Sequence, residues 1–291
     1  MKIVVLGSGT SHGIPVVACS CRVCASPDSR DKRMRSSVYV EGEAGEKLLI
    51  DAGPEFRLQA LKAGIDSVDC LLLTHAHADH IHGLDDLRPF TCVKPVPVYG
   101  NRQTISEMRE RFSYIFTTTQ EGGGKPRFLP KIADAPIQIG CLTITPVPAK
   151  HGELDILGWE ISETAAGEKK PQANGLKSFI YLTDVSKIPP ASMALLNNGN
   201  SAMRRVVIIG GLRATVHPTH FNFDEAMSAA LALKPNAVYL THICHSHSHE
   251  EIDEVCRIFR EQYQATHDKT SIAKFENMEI HPAQDGLELT L

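Results

Sequence analysis

The chain has 291 residues, 42% hydrophobic and 22% charged, an ordinary globular composition with room for one large domain or two smaller ones. Its formal net charge of −4 disfavours a broad surface for large nucleic acids, because such surfaces need clustered lysine and arginine. No apolar run approaches about 20 residues, so we expect no transmembrane helix and no membrane partner.

The N-terminal segment predicts a strand at residues 3–6 and a glycine-rich turn at residues 7–13. The apolar stretch is too short for a secretory signal peptide, so we expect a cytoplasmic, reducing environment. There, the eight cysteines are expected to be metal ligands or small buried side chains rather than disulfides. The turn lacks the Gly-x-Gly-x-x-Gly pattern of a dinucleotide-binding loop, which argues against a Rossmann domain.

Three cysteines, Cys19, Cys21 and Cys24, follow within six residues. Three thiolates can surround one soft tetrahedral ion such as zinc if a fourth ligand comes from elsewhere in the chain. The Cys-x-Cys step is shorter than the commonest zinc-site spacing. A redox thiol pair or buried apolar cysteines therefore stay open as alternatives for this loop.

A β-hairpin is predicted over residues 35–50, and its second strand ends at Asp51. An aspartate before a small-residue turn can cap a helix, and a short helix is predicted over residues 54–63. From its position alone, Asp51 is therefore a candidate capping residue.

The most informative stretch is His75-Ala-His77-Ala-Asp79-His80, which directly follows an apolar strand. Side chains at i and i+2 leave an extended backbone on the same side, so His75 and His77 can bind one ion. Asp79 and His80 lie where the chain turns and can bind a second ion nearby. Neutral imidazole plus carboxylate is the ligand set of zinc, manganese and iron sites, although a solvated histidine-rich loop is the alternative.

A helix is predicted over residues 104–112. The segment 112–129 follows, and its residues 117–126 fit neither a helix nor a strand. It contains three consecutive glycines at 122–124, flanked by aromatic and basic residues. We interpret it as a lid or a subunit contact, with a tolerated surface loop as the alternative.

Further candidate ligands recur at the ends of predicted strands: His151, Asp184 and His242. This repeated return to one edge predicts a single site instead of scattered surface histidines. His220 and His217 precede a helix predicted over residues 225–233. Strands dominate early and helices alternate with them later, so we predict an α/β protein. Without a linker or a repeat, residues 1–291 are expected to form one domain.

The series His-x-His-x-Asp-His, His151, Asp184 and His242 resembles the ligands of the metallo-β-lactamase superfamily. The resemblance implies a four-layer αββα sandwich with two metal ions, Mn²⁺ or else Zn²⁺ or Fe²⁺. His75, His77 and His151 would hold one ion. Asp79, His80 and His242 would hold the other. Asp184 would be shared, and Asp51 would hydrogen-bond a ligand.

The same resemblance implies phosphodiester hydrolysis by a hydroxide that bridges the two ions, with Asp79 and Asp184 as catalytic metal-binding carboxylates. In the phosphodiesterase branches a histidine in the place of His220 assists the leaving group. A purely structural role for His220 is the alternative, and His217 is the competitor for the catalytic role.

The three cysteines, together with Thr241-His242-Ile-Cys-His245, resemble the C–P lyase accessory phosphodiesterases of the PhnP family. That resemblance implies one structural Zn²⁺ held by Cys19, Cys21, Cys24 and His245, with Cys244 as an alternative fourth ligand. It also implies a homodimer and a small anionic substrate, a cyclic phosphodiester of ribose or a nucleotide.

Three other functions stay open. A tRNA 3′-processing endonuclease shares the metal ligands, but the chain lacks a long Gly/Pro-rich arm and is acidic. A glyoxalase-type thioesterase is a second enzyme class. A metal-dependent nucleotide-binding protein without catalysis is the third alternative.

Overall fold

The computed structural model describes residues 1–118, 124–163, 176–198, 204–266 and 278–291. Within them, the strands form two seven-stranded sheets. In chain order the strands are β1 (Lys2–Gly7), β2 (Ser37–Glu41), β3 (Lys47–Ile50), β4 (Cys70–Leu72), β5 (Val96–Gly100), β6 (Phe128–Ile132), β7 (Ile137–Ile139), β8 (Leu142–His151), β9 (Leu154–Glu163), β10 (Lys177–Leu182), β11 (Arg204–Gly210), β12 (Ala237–Thr241), β13 (Glu279–Pro282) and β14 (Glu288–Thr290).

Both sheets are mixed. The first has the order β14-β1-β2-β3-β4-β5-β6, antiparallel from β14 to β3 and parallel from β3 to β6. The second has the order β13-β12-β11-β10-β9-β8-β7, parallel from β13 to β10 and antiparallel from β10 to β7.

The helices cover the outer faces of the two sheets. The α-helices are α1 (Phe56–Ala63), α2 (Ala78–Ile81), α3 (Arg102–Arg111), α4 (Ser113–Phe116), α5 (Pro190–Asn197), α6 (Phe223–Leu231) and α7 (His249–Thr266). Short 3-10 helices span Ser29–Asp31 and Leu84–Thr91. Among the described residues, no helix is both long and apolar enough to cross a membrane.

Alternating side chains along the strands build three apolar cores. On β3, Leu48 and Ile50 pack between the two sheets, whereas Leu49 packs beneath the helices of the first sheet. On β10, Tyr181 faces the central core and Ile180 faces the helices of the second sheet. Three cores separate four layers, so the αββα sandwich predicted from the sequence is confirmed.

The segment 112–129 has no helix or strand at residues 117, 118 and 124–126, the described part of the stretch 117–126 that was predicted to be irregular. It contains α4, and its last residues enter β6, while residues 119–123 lie outside the described part. The sequence obscures β6 because it is an edge strand with mostly exposed side chains and carries Pro130. The roles of this segment as a lid or a subunit contact stay predictions.

The fold brings strand ends from both sheets to one rim. The backbone N–H of Leu157 in β9 donates to the carbonyl of Thr74, which lies just beyond β4 (3.0 Å). This bond joins the second sheet to the histidine-rich segment of the first. Side chains at the end of β8 and just beyond the ends of β4, β10 and β12 therefore converge.

Candidate metal centre

The structure brings together all seven predicted ligands at this rim. In each of two groups, the candidate ligand atoms lie within 4.8 Å of one another. The first group is His75, His77 and His151. The second group is Asp79, His80, Asp184 and His242.

Asp184 occupies the middle of the second group. Its Oδ1 lies 3.0 Å from Nε2 of His242, and its Oδ2 lies 3.2 Å from Nε2 of His80. The Nε2 of His80 is also 3.1 Å from Oδ2 of Asp79. The rings of His80 and His75 are 4.2 Å apart between centroids, so the two groups are contiguous.

Three residues of the centre have left-handed backbone angles. The φ angles of Asp51, Asp184 and His242 are 58°, 56° and 56°. For a residue with a side chain this conformation costs about 1–2 kcal/mol. Each residue ends a buried strand or closely follows one, and the turn allows its side chain to join the cluster at the rim. Such strain is characteristic of functional sites.

The hydrogen-bond network assigns the tautomers of three candidate ligands. Nδ1 of His80 bonds Oδ2 of Asp51 (2.8 Å), and Nδ1 of His151 bonds the carbonyl of Thr219 (2.7 Å). The Thr74 hydroxyl donates to Asp51 (2.7 Å) and so accepts from Nδ1 of His75 (3.0 Å). In each neutral ring the hydrogen therefore lies on Nδ1, and the Nε2 lone pair is left for an ion.

The centre contains buried nitrogen atoms that need a partner. Nε2 of His75, His80 and His242 is buried, and none of the three forms a hydrogen bond within the described part of the chain. Leaving such atoms unpaired is costly, and a bound divalent cation satisfies them. Histidine nitrogen and carboxylate oxygen suit manganese, zinc and iron. The residues present therefore fit a two-metal site.

The electrostatics of the cluster also favour positive charge. Burial alone would raise the pKa of Asp79 and Asp184, but the neighbouring imidazoles outweigh it and hold both carboxyls below their usual range. Burial opposes a proton on His80, yet the carboxylates of Asp79, Asp184 and Asp51 raise its pKa well above the usual value. Burial lowers the pKa of His75. The two ionised carboxylates thus favour positive charge beside them.

His220 lies against both ligand groups. Its ring is 4.5 Å from that of His151 and is stacked 4.9 Å from that of His242, and its Nδ1 is 3.8 Å from Oδ1 of Asp184. Burial, followed by the charge of His242, lowers the pKa of His220 to about 3. The ring of His217 is 5.1 Å from that of His220, and burial lowers its pKa too.

The predicted cysteine cluster forms a separate group. Nδ1 of His245 lies 3.4 Å from Sγ of Cys19 and 3.5 Å from Sγ of both Cys21 and Cys24. Cys244, the alternative fourth ligand, instead bonds the hydroxyl of Ser246 (3.1 Å). The geometry therefore favours His245, and three sulfurs around one imidazole suit a tetrahedral zinc ion.

Sequence reasoning missed the residues that hold these side chains in place. Arg33 is buried, and it donates to the carbonyls of Cys244 (3.1 Å) and His247 (3.3 Å) and pairs with Asp31 (3.3 Å). It thereby joins the cysteine loop to the segment after His242. An arginine in a basic stretch carries no sequence signal for burial. Likewise, nothing in the sequence indicates that the backbone carbonyl of Thr219 accepts a hydrogen bond from an imidazole.

Comparisons with known proteins agree with this geometry. The model of the β-lactamase superfamily domain matches residues 46–243. A crystal structure described as a new diphosphatase from the PhnP family has a TM-score of 0.75 and 34% identity, covering 100% of this chain and 97% of that one. Zn²⁺-bound PqqB from Methylobacterium extorquens has a TM-score of 0.66 and 17% identity, covering 100% of both chains, a likeness of fold alone.

A curated relative is longer than this chain. An octanoyltransferase from Porphyromonas gingivalis is 37% identical over 247 residues, which are 84% of this chain and 46% of that protein. The chain spans about half the length of the curated relatives it matches. From the extent of the family match and the ligand series gathered at the rim, the chain belongs to the metallo-β-lactamase superfamily.

Proposed function

We propose that the chain is a metal-dependent hydrolase that cleaves a small, anionic phosphodiester of ribose or a nucleotide. The substrate that we favour is a cyclic phosphodiester. The observation that carries the proposal is the position of the Asp184 carboxylate, whose ligand atom lies within 4.8 Å of those of His80 and His242 in the second group and of that of His151 in the first. A carboxylate in this position could contribute a ligand to each of two cations.

The seven residues of the two groups would hold the cations. When bound, a pair of divalent ions lowers the pKa of a water molecule toward neutrality and neutralises phosphate charge. The protein itself fixes the ligand rings through Asp51, Thr74 and the carbonyl of Thr219. Because the ligands are already oriented, little reorganisation is needed as charge develops on the substrate.

His220 is proposed to assist the leaving oxygen. Its ring contacts the rings of His151 and His242 but is separate from the seven ligands. With a pKa near 3 the ring is neutral in the metal-free protein at pH 7. A bound phosphate beside it would favour the charged form, against the repulsion of the two cations, and so raise that pKa. His220 can then donate a hydrogen bond, and finally a proton, to the leaving oxygen.

The cysteine loop is proposed to hold one structural zinc ion. Its donors would be Cys19, Cys21, Cys24 and His245, which already surround a common point. His245 lies three residues after His242, so an ion there would fix the N-terminal loop relative to the strand end that carries His242.

A second candidate reaction is the hydrolysis of a diphosphate. It is favoured by the 34% identical structure, which is described as a diphosphatase. The same two-metal site suits both reactions, because only the leaving group differs: an alkoxide for the ester and a phosphate for the anhydride. The name octanoyltransferase belongs to a protein of which this chain matches less than half, so it supports neither reaction.

The experiment that tests the proposal replaces Asp184 by asparagine. We expect Asp184→Asn to lose active-site metal by elemental analysis and to lose about 100-fold or more of the activity on bis(p-nitrophenyl) phosphate with Mn²⁺. Asp134→Asn, at an exposed aspartate, is the control and should behave as the wild type. An Asp184→Asn protein with full metal content and full activity would rule out the shared carboxylate.

A further inference from the structure

The loop between β11 and α6 is held in a defined conformation beside the metal centre. The N–H of Leu212 donates to the carbonyl of Phe221 (3.0 Å), and the N–H of Phe223 donates to the carbonyl of Arg213 (3.1 Å). The N–H of Phe221 also donates to Val185, next to Asp184 (2.7 Å). Side chains on this loop are therefore positioned relative to the reacting centre.

The peptide groups of this loop fix the hydrogen of His217 as well as that of His151. The N–H of Thr219 points to Nδ1 of His217 (3.3 Å), and the Thr219 hydroxyl is 3.2 Å from the same atom. A backbone N–H can only donate, so Nδ1 of His217 is the acceptor and the hydrogen lies on Nε2. Within the described residues this Nε2 makes no hydrogen bond, and the ring is half-buried.

Thr219 can approach His151 this closely because residue 152 is a glycine. Gly152 has a φ of +59°, and a Cβ there would lie 2.9 Å from Cγ2 of Thr219. The carbonyl of Thr219 thereby orients His151, a candidate metal ligand, while its N–H orients His217. Thr219 thus orients both the candidate metal ligand His151 and the hydrogen-bond donor His217, which lies outside the metal centre.

Arg213 adds a positive charge to the same loop. Its Nε and Nη2 make long hydrogen bonds to the carbonyls of Thr215 (3.4 Å) and Val216 (3.3 Å). Across the described part of the chain it has no carboxylate within ion-pair distance, and Nη1 has no hydrogen bond. Because its Nη2 bonds the carbonyl of Val216, the residue before His217, the guanidinium lies beside the His217 segment.

We propose that Arg213 and His217 bind a second phosphoryl group of the substrate, adjacent to the one that reacts. This inference rests on the proposed function and narrows it to substrates with two phosphoryl groups. The metal pair would neutralise the reacting phosphate. A second phosphate needs its own hydrogen-bond donors. The guanidinium of Arg213, which has no carboxylate partner among the described residues, and the Nε2–H of His217, whose ring lies beside that of His220, supply them.

The kinetic test compares two substrates in Mn²⁺-loaded protein. Thymidine 5′-p-nitrophenyl phosphate has one phosphoryl group, and diadenosine 5′,5′-diphosphate has two. We expect Arg213→Ala and His217→Ala each to raise KM for the diphosphate by about 10- to 100-fold, and by much less for the single phosphate. His217→Gln, whose amide can replace the Nε2–H donor, should recover part of the loss.

His281→Ala is the matched control, because this half-exposed histidine lies on the edge strand β13 and bonds Asp253 of α7, outside the groups of candidate ligands. It should leave the ratio of the two KM values unchanged. An equal rise of KM for both substrates, or a loss confined to kcat, would overturn the second phosphate site. Failure to cleave either substrate would instead contradict the proposed function.

A binding measurement tests the second phosphate site independently of catalytic activity. Long-range ¹H–¹⁵N NMR on Zn²⁺-loaded protein should show His217 as the neutral Nε2–H tautomer. Inorganic pyrophosphate should shift this resonance in the wild type and bind about tenfold more weakly to Arg213→Ala. A hydrogen on Nδ1, or pyrophosphate binding that is unaffected in Arg213→Ala, would overturn the inference.

Discussion

At the scale of single residues, oxygen acceptors decide which ring nitrogens are left for a cation. Thr74, Asp51 and the carbonyl of Thr219 each accept from Nδ1 of one candidate ligand. A metal ligand of the wrong tautomer presents a hydrogen where a lone pair is needed. The chemistry of the centre therefore depends on groups that never touch the cations.

His220 provides the first prediction at this scale. Its replacement by alanine should keep metal binding but lower kcat by about 10²- to 10⁴-fold for a substrate with a poor alkoxide leaving group. The loss should be much smaller with p-nitrophenolate, which leaves without a proton. Steady-state kinetics on the two substrates measure the difference, with His281→Ala as the control. An equal loss with both leaving groups would exclude a role in proton donation.

The candidate ligands could be predicted because their side chains carry the signal. His75, His77 and Asp79 follow an apolar strand at short spacing, and Asp184 ends another strand. The partners that orient them could not be predicted. The carbonyl of Thr219 belongs to the backbone, which every residue shares, and the burial of Arg33 depends on carbonyls more than 200 residues away in sequence.

At the scale of elements, the cysteine loop has little apolar support of its own. Ile14, Val23 and Cys24 form a small separate core, with Cys19 and Cys21 packed against it. Such a small cluster contributes little burial, so the loop needs another interaction to stay folded. A zinc ion joined to His245 would supply it.

Replacing Cys21 by serine tests that requirement. Cys21→Ser should release one zinc ion per chain and lower the midpoint of thermal unfolding, because one of the four donor atoms is lost. The active-site metal content should stay near that of the wild type. Cys92→Ser, at an exposed cysteine outside the cluster, is the control. Unchanged zinc content in Cys21→Ser would exclude the structural site.

Elements were predictable where the pattern of apolar residues was strong. The strands β3, β10 and β12 are almost entirely buried, and their apolar runs indicate them directly. The helix α6 was anticipated with bounds shifted by two residues, since Asn222 and Glu225 form its capping box. The edge strand β6 was missed because edge strands bury only part of their surface.

At the scale of the whole molecule, the N-terminus of α7 couples folding to pH. His249 is buried there, and its backbone N–H donates to Asp31 (2.6 Å). Burial, and then the charges of Arg30 and Arg33, lower its pKa from 6.5 to about 4. The unfolded chain therefore binds this proton first, so stability is lost as the pH falls from about 6.5 toward 4.

The matching prediction compares the wild type with His249→Gln. Between pH 7.5 and 5.5 the wild type should lose about 1 kcal/mol more of its free energy of unfolding than the variant. Urea unfolding at both pH values, followed by circular dichroism, measures the difference. Parallel losses in the two proteins would show that His249 is not the group responsible.

The left-handed backbone at Asp51, Asp184 and His242 has one more consequence. Glycine adopts that conformation without a steric penalty, so the polypeptide would relax if any of the three lost its side chain. A laboratory evolution experiment in a metal-poor medium that selects for heat tolerance alone should therefore enrich glycine at positions 184 and 242 and yield more stable, inactive proteins. Asp51 should be retained, because its carboxylate accepts hydrogen bonds from Thr74 and His80. Active variants would be retained only if the selection also required catalytic turnover.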